Sequence, residues 1–521
     1  MSAPDRYYVT TPIYYVNDRP HIGHAYSTLA CDVLARFMRL DGREVHFLTG
    51  TDEHGQKVEK SAQARGVDPQ TFTDEVSENF RELARLMNFS NDDFIRTTEP
   101  RHYASCQALW EKLVEAGDIY LGSYSGWYAV RDEAFYGEDE LTKDEEGRMI
   151  APSGAECEWV EEPSYFFRLS AWQDRLLALY EERPDFILPE TRRNEVVSFV
   201  RSGLRDLSVS RTTFGWGIPV PNDAAHVMYV WLDALTNYIT AVGYPDENAE
   251  TFRKFWPADL HMVGKDILRF HAVYWPAFLM AAGLEPPRRV FAHGWLLNKG
   301  AKMSKSLGNV LRPADLVERY GLDPVRYYLL REVPFGQDGY VSHESMVARI
   351  NGDLANDLGN LAQRSLSMIA KNCGGAVPDP GALTEADRAL LDKAAGLLQR
   401  LREEYGQQAF HRGLEAVWQV VGDANRYVDE QAPWALRKTD PARMATVLWV
   451  LAETVRRVAI LVQPVMPQAM ETMLDQLGVP ADRRGFADLD AGLVAGTPLP
   501  KPQGVFPRYV EPEGEGEAAA S

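Results

Sequence analysis

The chain has 521 residues and a formal net charge of −20, with 45% apolar and 25% charged residues. This length exceeds one ordinary hydrophobic core and predicts about two to four domains, and the composition is typical of a globular protein. The four cysteines are scattered without a C-x-x-C pair, and their spacing indicates neither a disulfide framework nor a four-ligand zinc site. The acidic balance disfavours general nucleic-acid binding, although a local basic track would still allow it.

Strand and helix patterns alternate over residues 1–117. "RYYVTTPIYYV" (6–16) and "REVHFLTG" (43–50) indicate strands, separated by a helix whose apolar stripe runs from Ile22 to Leu40. Helical stretches follow at 55–65 and 71–87, then the strand "DFIRT" (93–97) and a helix ending near Gly117. This alternation predicts an α/β domain with a parallel sheet, whose ligands bind at the carboxyl ends of the strands.

The pattern then changes three times. Residues 118–210 contain short strand-like pieces and an acidic loop, which indicate an insertion, and the α/β pattern returns over 211–300. Residues 301–345 hold a lysine-bearing loop, and 346–475 show the long helical periodicity of a helix bundle. Residues 476–521 form an extension that is rich in proline and ends in an acidic tail.

Nothing in the chain predicts a membrane anchor. The N-terminus has no signal-peptide pattern, and the longest apolar run, 272–284, is interrupted by Pro276 and too short to span a bilayer. We therefore expect a cytoplasmic protein.

Two histidines, His21 and His24, flank Gly23 where the first strand pattern gives way to the first helix. Residues three apart share a helix face, and a helix N-terminus offers free N–H groups that favour phosphate. Gly23 leaves room for a ligand against the backbone. From the residues alone, a phosphate site and a structural histidine pair are equally good interpretations.

The loop "GAKMSKSLGN" (300–309) places Lys302 and Lys305 among serines and glycines. A solvated lysine loop is the simplest interpretation, whereas a mobile cationic loop could also close over a triphosphate. "PHIGH" and "KMSKS", in this order and separated by a split α/β domain, resemble the two signature motifs of class I aminoacyl-tRNA synthetases.

Three further stretches resemble the bacterial methionyl branch of that class: "VWLDALTNY" (230–238), "VGKDILRFH" (263–271) and "DEQAPWALRK" (429–438). The resemblance covers residues 6 to about 475. It implies a Rossmann-type catalytic domain with a connective insertion, followed by an all-α anticodon-binding domain. The implied reaction activates L-methionine with ATP and transfers it to the 3′ end of tRNA(Met), initiator and elongator alike.

The resemblance also implies the site residues. His21, His24, Lys302 and Lys305 would be catalytic. Three sets would bind the substrates: ATP at His21, Gly23, His24, Gly264, Asp266, Gly294 and Lys305; methionine at Ile13, Tyr15, Asp52, Trp231, Ala234, Tyr238, Ile267, Phe270 and His271; the tRNA anticodon at Asn360, Arg364 and Trp434. Mg²⁺ would accompany ATP.

The chain departs from many relatives in the insertion. They carry cysteines of zinc knuckles where this chain has "WYAVRDEAF" (127–135) and "APSGAECEW" (151–159), so we expect a zinc-free knuckle, since Cys157 alone cannot hold zinc. We also expect a monomer. Two alternatives remain. One is another nucleotidyl-transferring enzyme of the superfamily, such as a pantothenate synthetase or cytidylyltransferase, which would not need the anticodon residues. The other is a catalytically silent RNA-binding paralogue, which would not need the histidines and lysines.

Overall fold

The computed structural model describes residues 5–16, 19–298, 301–302 and 311–511. They fall into two compact units, one comprising residues up to Cys31 and Glu44–His293, the other Asp32–Arg43 and the residues from Gly294 onward. A parallel-sheet unit and a mainly helical unit are what the sequence predicts, so the expected fold class is confirmed. No helix in the described part of the chain is long and apolar enough to cross a membrane.

The first unit is built on a seven-stranded parallel sheet with the order β10-β16-β15-β1-β3-β2, in which β4 also pairs with β3. Its strands are β1 (Arg6–Thr10), β2 (Tyr14–Tyr15), β3 (Glu44–Asp52), β4 (Asp93–Arg96), β10 (Ile187–Leu188), β15 (Leu260–Gly264) and β16 (Val290–His293). Its helices are α1 (Ile22–Leu40, of which the residues from Asp32 belong to the second unit), α2 (Gln56–Arg65), α3 (Pro69–Leu86), α4 (Pro100–Glu115), α5 (Gln173–Glu182), α6 (Glu190–Arg201), α7 (Val230–Thr240), α8 (Glu250–Phe255) and α9 (Trp275–Ala281).

Residues 6–16 do not form the single strand that their composition predicts. β1 ends at Thr10 and β2 begins at Tyr14, with Pro12 between them. Proline has no N–H to donate to a ladder, so it interrupts the pairing. The break leaves Tyr14 and Tyr15 paired with Thr51 and Asp52, the last two residues of β3.

The insertion contains longer strands than expected. β5 (Ile119–Ala129) and β9 (Glu156–Phe167) form a long antiparallel pair. They are the centre of a six-stranded sheet completed by β6 (Ala134–Tyr136), β7 (Thr142–Lys143), β8 (Met149–Ile150) and β11 (Leu207–Ser208). β10 lies within the same stretch of sequence, yet it is an edge strand of the parallel sheet. Three short strands, β12 (Ser210–Arg211), β13 (Pro219–Val220) and β14 (Asp223–Met228), lead into α7.

The second unit is mainly helical, with a small sheet of β17 (Leu296–Asn298), β18 (Ala301–Lys302) and β19 (Gly339–Val341). Its helices are α10 (Pro313–Tyr320), α11 (Leu322–Arg331), α12 (His343–Arg349), α13 (Asn360–Asn372), α14 (Glu385–Gly406), α15 (Phe410–Gln431), α16 (Pro433–Thr439), α17 (Pro441–Val462) and α18 (Pro467–Gln476), with a π-helix at Ile350–Gly359. α17 is buried along most of its length and packs against α13, α14, α15 and α18, which makes it the centre of the bundle.

Candidate functional site

The histidine pair lies at the N-terminus of α1, where His21 immediately precedes the first helical residue. The two imidazole centroids are 3.9 Å apart. The pairing arises from backbone hydrogen bonds and not from a shared helix face as expected, because His21 is outside the helix. Its N–H donates to Nδ1 of His24 (3.1 Å), and the N–H of Gly23 donates to Nδ1 of His21 (3.1 Å).

These bonds fix the chemistry of the two rings. Because each Nδ1 accepts a hydrogen bond, the proton of each neutral ring resides on Nε2. Burial and the neighbouring His21 ring lower the pKa of His24 well below its ordinary value, so this ring is neutral at pH 7. A Cβ at residue 23 would lie 2.9 Å from Cε1 of His21, so a larger residue there would displace the His21 ring. The pair therefore presents its two Nε2–H groups as donors beside a helix N-terminus.

The carboxyl ends of the central strands lie beside α1. Gly264 at the end of β15 pairs in register with His293 at the end of β16, and Ser27 of α1 lies 2.6 Å from Nε2 of His293. A Cβ at Gly264 would lie 2.6 Å from Oδ1 of Asp266, so the absence of a side chain at Gly264 lets the Asp266 carboxylate lie against the backbone at the end of β15. This is the strand edge at which ligands of parallel α/β sheets bind.

The remaining ATP candidates lie in the second unit. A Cβ at Gly294 would lie 2.2 Å from the carbonyl carbon of Gln337, so glycine permits a close backbone approach there. Lys302 ends β18, and Lys305 lies outside the described residues.

The methionine candidates are largely brought together around α7. The Trp231 and Phe270 rings stack at 3.7 Å with planes 6° apart, and the His271 ring lies edge-on to Trp231 at 6.1 Å. Ile13, Ala234 and Ile267 are buried or partly buried, and Ile13 and Ile267 pack against the main core of this unit. The arrangement gives an aromatic and aliphatic wall of the kind that suits an apolar side chain.

One polar contact in this wall is fixed by a hydrogen-bond chain. Nδ1–H of His271 donates to the Ile267 carbonyl (3.0 Å), which leaves Nε2 to accept from the Tyr238 hydroxyl at 2.7 Å. Burial lowers the pKa of His271 to about 4. The imidazole is therefore neutral at pH 7 and brings no charge into the wall.

Asp52 is the acidic residue expected to receive the ammonium group of methionine. It ends β3 beside Tyr15, and its Oδ1 has no hydrogen-bond partner among the described residues although it is buried. Burial and the nearby carboxylates of Asp233 and Glu133 raise its pKa well above the ordinary value. Burial is the main cause of the raised pKa of the Tyr238 hydroxyl, and the nearby Asp52 carboxylate adds to it. Such a carboxylate gains most from a cationic ligand.

A buried polar network that sequence reasoning missed anchors α7. The two carboxylate oxygens of Asp233 contact His54 Nδ1 (2.6 Å) and His102 Nε2 (2.7 Å), and Cys106 Sγ lies 3.3 Å from the same His102 nitrogen. Burial opposes ionisation of Asp233, but the histidines outweigh it and lower its pKa to about 2. His102, Cys106 and Asp233 are close enough to share a metal ion, yet their hydrogen bonds to one another already satisfy them. The only sequence signal was an acidic residue inside the apolar stretch "VWLDAL".

The anticodon candidates lie in the helical unit. Trp434 is the second residue of α16 and is 48% exposed, and the guanidinium of Arg364 lies 5.5 Å from its ring centroid. Arg364 also contacts Asp429 at 3.2 Å. Asn360 begins α13 one turn before Arg364 and is exposed. The structure thus places a tryptophan, an arginine and an asparagine on one accessible region of this unit.

The insertion has an apolar cluster where a zinc knuckle would need its thiolates. Cys157 is buried with Ala129, Met149, Ala151 and Ala155. A structural zinc site takes four ligands, and a single thiol in an aliphatic cluster does not fit one. The absence of zinc stays a prediction.

A parallel α/β sheet with a histidine pair beside its strand ends, joined to a helical bundle, is the arrangement expected of a class I aminoacyl-tRNA synthetase. Comparison with known families gives the branch. Residues 7–366 match the family model "tRNA synthetases class I (M)", and residues 377–516 match the "Anticodon binding domain of methionyl tRNA ligase". The chain therefore belongs to the methionine–tRNA ligase family of class I synthetases.

Individual relatives agree. The methionine–tRNA ligase of Brucella suis biovar 1 is 62% identical over 508 residues, covering 97% of this chain and 98% of the relative. That of Mycobacterium tuberculosis (strain ATCC 25618 / H37Rv) is 57% identical over 511 residues, covering 97% and 98%. A solved structure of the M. tuberculosis methionyl-tRNA synthetase in complex with methionyl-adenylate superimposes with a TM-score of 0.95 at 56% identity, covering 96% of this chain and all of that one.

Proposed function

We propose that the chain activates L-methionine with ATP to methionyl-adenylate and pyrophosphate, and then transfers methionine to the 3′ end of tRNA(Met). The observation that carries this proposal is the histidine pair beside the strand ends, in the same unit as a buried carboxylate and an aromatic wall. Family membership supplies the reaction, and the residue roles below are our inference.

Methionine would bind with its ammonium group at Asp52 and its side chain against Trp231 and Phe270. A charge-assisted hydrogen bond to the ammonium would occupy Oδ1 of Asp52, which has no partner among the described residues. The thioether is apolar and polarisable, which suits aromatic contacts. His271, neutral and held by Tyr238, would present no charge that disfavours it.

In the first step a carboxylate oxygen of methionine attacks the α-phosphorus of ATP, and the bond to the β-phosphate bridging oxygen breaks with release of pyrophosphate. The attacking group comes from the substrate, so the protein needs no nucleophile of its own. Its contribution is to position the reactants and to stabilise developing charge. The Nε2–H groups of His21 and His24 would donate to phosphate oxygens as negative charge accumulates on them.

Lys302 and Lys305 would neutralise the leaving pyrophosphate, and Gly264, Asp266 and Gly294 would bind the nucleoside. Mg²⁺ would arrive with ATP, as it does where substrate phosphates supply most of its ligands. In the second step a ribose hydroxyl of the terminal tRNA nucleotide attacks the carbonyl carbon of the adenylate, and AMP leaves.

The anticodon would be read in the helical unit. Single-stranded loop bases are recognised by stacking on aromatic rings and by hydrogen bonds to their edges. Trp434 would supply the stacking surface, and Asn360 and Arg364 the hydrogen bonds, for initiator and elongator tRNA(Met) alike. This trio favours the synthetase over a small-molecule nucleotidyltransferase. We further propose a cytoplasmic monomer.

A direct test separates the two steps. The protein is incubated with methionine, ATP-Mg²⁺ and inorganic pyrophosphatase, and the enzyme-bound fraction is analysed by mass spectrometry before and after addition of tRNA(Met). Methionyl-adenylate should accumulate and then disappear as methionyl-tRNA forms. An adenylate that persists with tRNA present would refute the transfer step, and failure to form any adenylate would refute the proposal as a whole.

A further inference from the structure

A buried glutamate of the insertion reaches the segment that carries Tyr15. Glu133 lies in the turn between β5 and β6 and is only 6% exposed. Its Oε1 accepts a hydrogen bond of 2.6 Å from the Tyr15 hydroxyl. Tyr15 pairs in turn with Asp52 at the end of β3, so the glutamate is linked through one side chain to the proposed ammonium site.

The backbone of Glu133 is strained. Its φ is 49°, in the left-handed region that residues other than glycine, asparagine and aspartate rarely adopt. Strain of this kind persists where the surroundings fix the residue, and it concentrates at functional sites. A turn with no task beyond joining β5 to β6 would more simply use glycine or asparagine.

Neighbouring segments are shaped around the carboxylate. A Cβ at Gly55, which has a φ of 109°, would lie 2.4 Å from Oε1 of Glu133, so no side chain fits at the turn before α2. The hydroxyl of Tyr229, at the start of α7, donates to the Glu133 carbonyl at 3.2 Å. Glu133 thus contacts the chain beside β2, α2 and α7, which together carry Tyr15 and Trp231.

The charge of the glutamate is only partly balanced. Burial raises its pKa to about 7, against the opposing effects of Tyr15, Lys57 and Arg211. Arg211 is itself 1% exposed, with its guanidinium 4.3 Å from the Phe135 ring and 4.6 Å from the Tyr229 ring. Oε1 of Glu133 accepts from the Tyr15 hydroxyl at 2.6 Å and from the Lys57 N–H at 3.5 Å, so the tyrosine is the closer donor.

We propose that Glu133 is a positioning residue that holds the Tyr15 ring in place at the methionine site, so that the insertion contributes to affinity for the amino acid. This inference rests on the proposed function, because it takes Tyr15 to contact methionine. Glu133 touches no reacting atom. Its effect is transmitted through the orientation of one ring.

The test compares variants by steady-state pyrophosphate exchange, with KM for methionine, KM for ATP and kcat measured separately. Glu133→Ala removes the acceptor and should raise KM for methionine by up to about tenfold, the upper end of the effect of losing one hydrogen bond. KM for ATP and kcat should stay within about twofold. Glu133→Gln keeps an oxygen that can accept from Tyr15 and should restore most of the affinity. Asp132→Asn changes the neighbouring carboxylate, which contacts Tyr136 and Ser153, and should leave KM for methionine unchanged.

Tyr15→Phe provides an independent variant if Glu133→Ala folds poorly. It should raise KM for methionine as Glu133→Ala does. The double variant Tyr15→Phe/Glu133→Ala should have a KM for methionine no higher than that of either single variant. The inference would be overturned if the increases in KM for methionine multiplied in the double variant, or if KM for methionine were unchanged in both single variants. It would also be overturned if KM for ATP rose as much as KM for methionine. Failure of the proposed function itself is distinguishable, because the unmodified protein would then show no methionine-dependent exchange.

Discussion

Replacing Trp434 by alanine should separate amino-acid activation from tRNA charging. The indole is about half exposed, and the guanidinium of Arg364 lies 5.5 Å from its ring centroid. Trp434 belongs to the second unit, whereas the histidine pair belongs to the first. Stacking of a base on an aromatic ring contributes about 1–3 kcal/mol. Taking about 2 kcal/mol, kcat/KM for tRNA(Met) should fall about 30-fold.

The two activities are measured on the same preparation: pyrophosphate exchange without tRNA, and charging of tRNA(Met) at subsaturating concentration. Exchange should remain within about twofold of the unmodified protein, because an exposed side chain seldom changes stability by more than about 0.5 kcal/mol. Trp159→Ala, which removes a similarly exposed tryptophan (55%) from β9, is the matched control and should lower neither activity. Equal loss of exchange and charging in Trp434→Ala would refute the assignment of Trp434 to the anticodon.

Three further predictions follow from the site and the bundle. Asp52→Asn should raise KM for methionine about 10- to 150-fold with KM for ATP unchanged, since a hydrogen bond between charged groups contributes about 1.5–3 kcal/mol; an unchanged KM for methionine in exchange kinetics would contradict this role. Burial acts to raise the pKa of Asp387, but hydrogen bonds from Arg443 and Tyr427 outweigh burial and lower the pKa to about 2. The ionised carboxylate therefore stabilises the fold at pH values above its ordinary pKa near 4, and this stabilisation is lost as the pH falls toward 2. Arg443→Met should therefore lower the thermal midpoint of unfolding at pH 7. The difference in midpoint between the variant and the unmodified protein should become smaller between about pH 4 and 2, and a difference that stays constant would count against the ion pair of Arg443 with Asp387. Elemental analysis should find less than about 0.1 zinc per chain, because structural zinc needs four ligands, and a stoichiometric content would disprove the zinc-free knuckle.

The sequence predicted the parts of the site that lie in local motifs. The position of the histidine pair followed from a strand pattern and an apolar helical stripe that are adjacent in the chain. The stacking of Trp231 on Phe270 was not predictable from spacing, although both were expected at the site through family resemblance. The geometry of His21 differed from expectation because α1 begins at Ile22 and leaves His21 outside the helix, so backbone N–H groups orient the two rings.

Residues that depend on distant pairing could not be predicted. Asp233 meets His54 and His102 across separations of 179 and 131 residues, and no local pattern encodes such contacts. Glu133 resembles any other acidic residue in a charged turn until the fold brings it to Tyr15. Burial of a charge is set by tertiary packing, so the strongest electrostatic features of the site became visible only in three dimensions.

The central claim is that methionine is the main amino acid that this chain activates. Exchange of labelled pyrophosphate into ATP, measured with each of the standard amino acids in turn and without tRNA, tests it most directly. We predict exchange that requires methionine and is abolished or reduced at least about a hundredfold in His24→Asn, in line with loss of a transition-state hydrogen-bond donor. Exchange supported instead by leucine or cysteine, or none with any amino acid, would contradict the account.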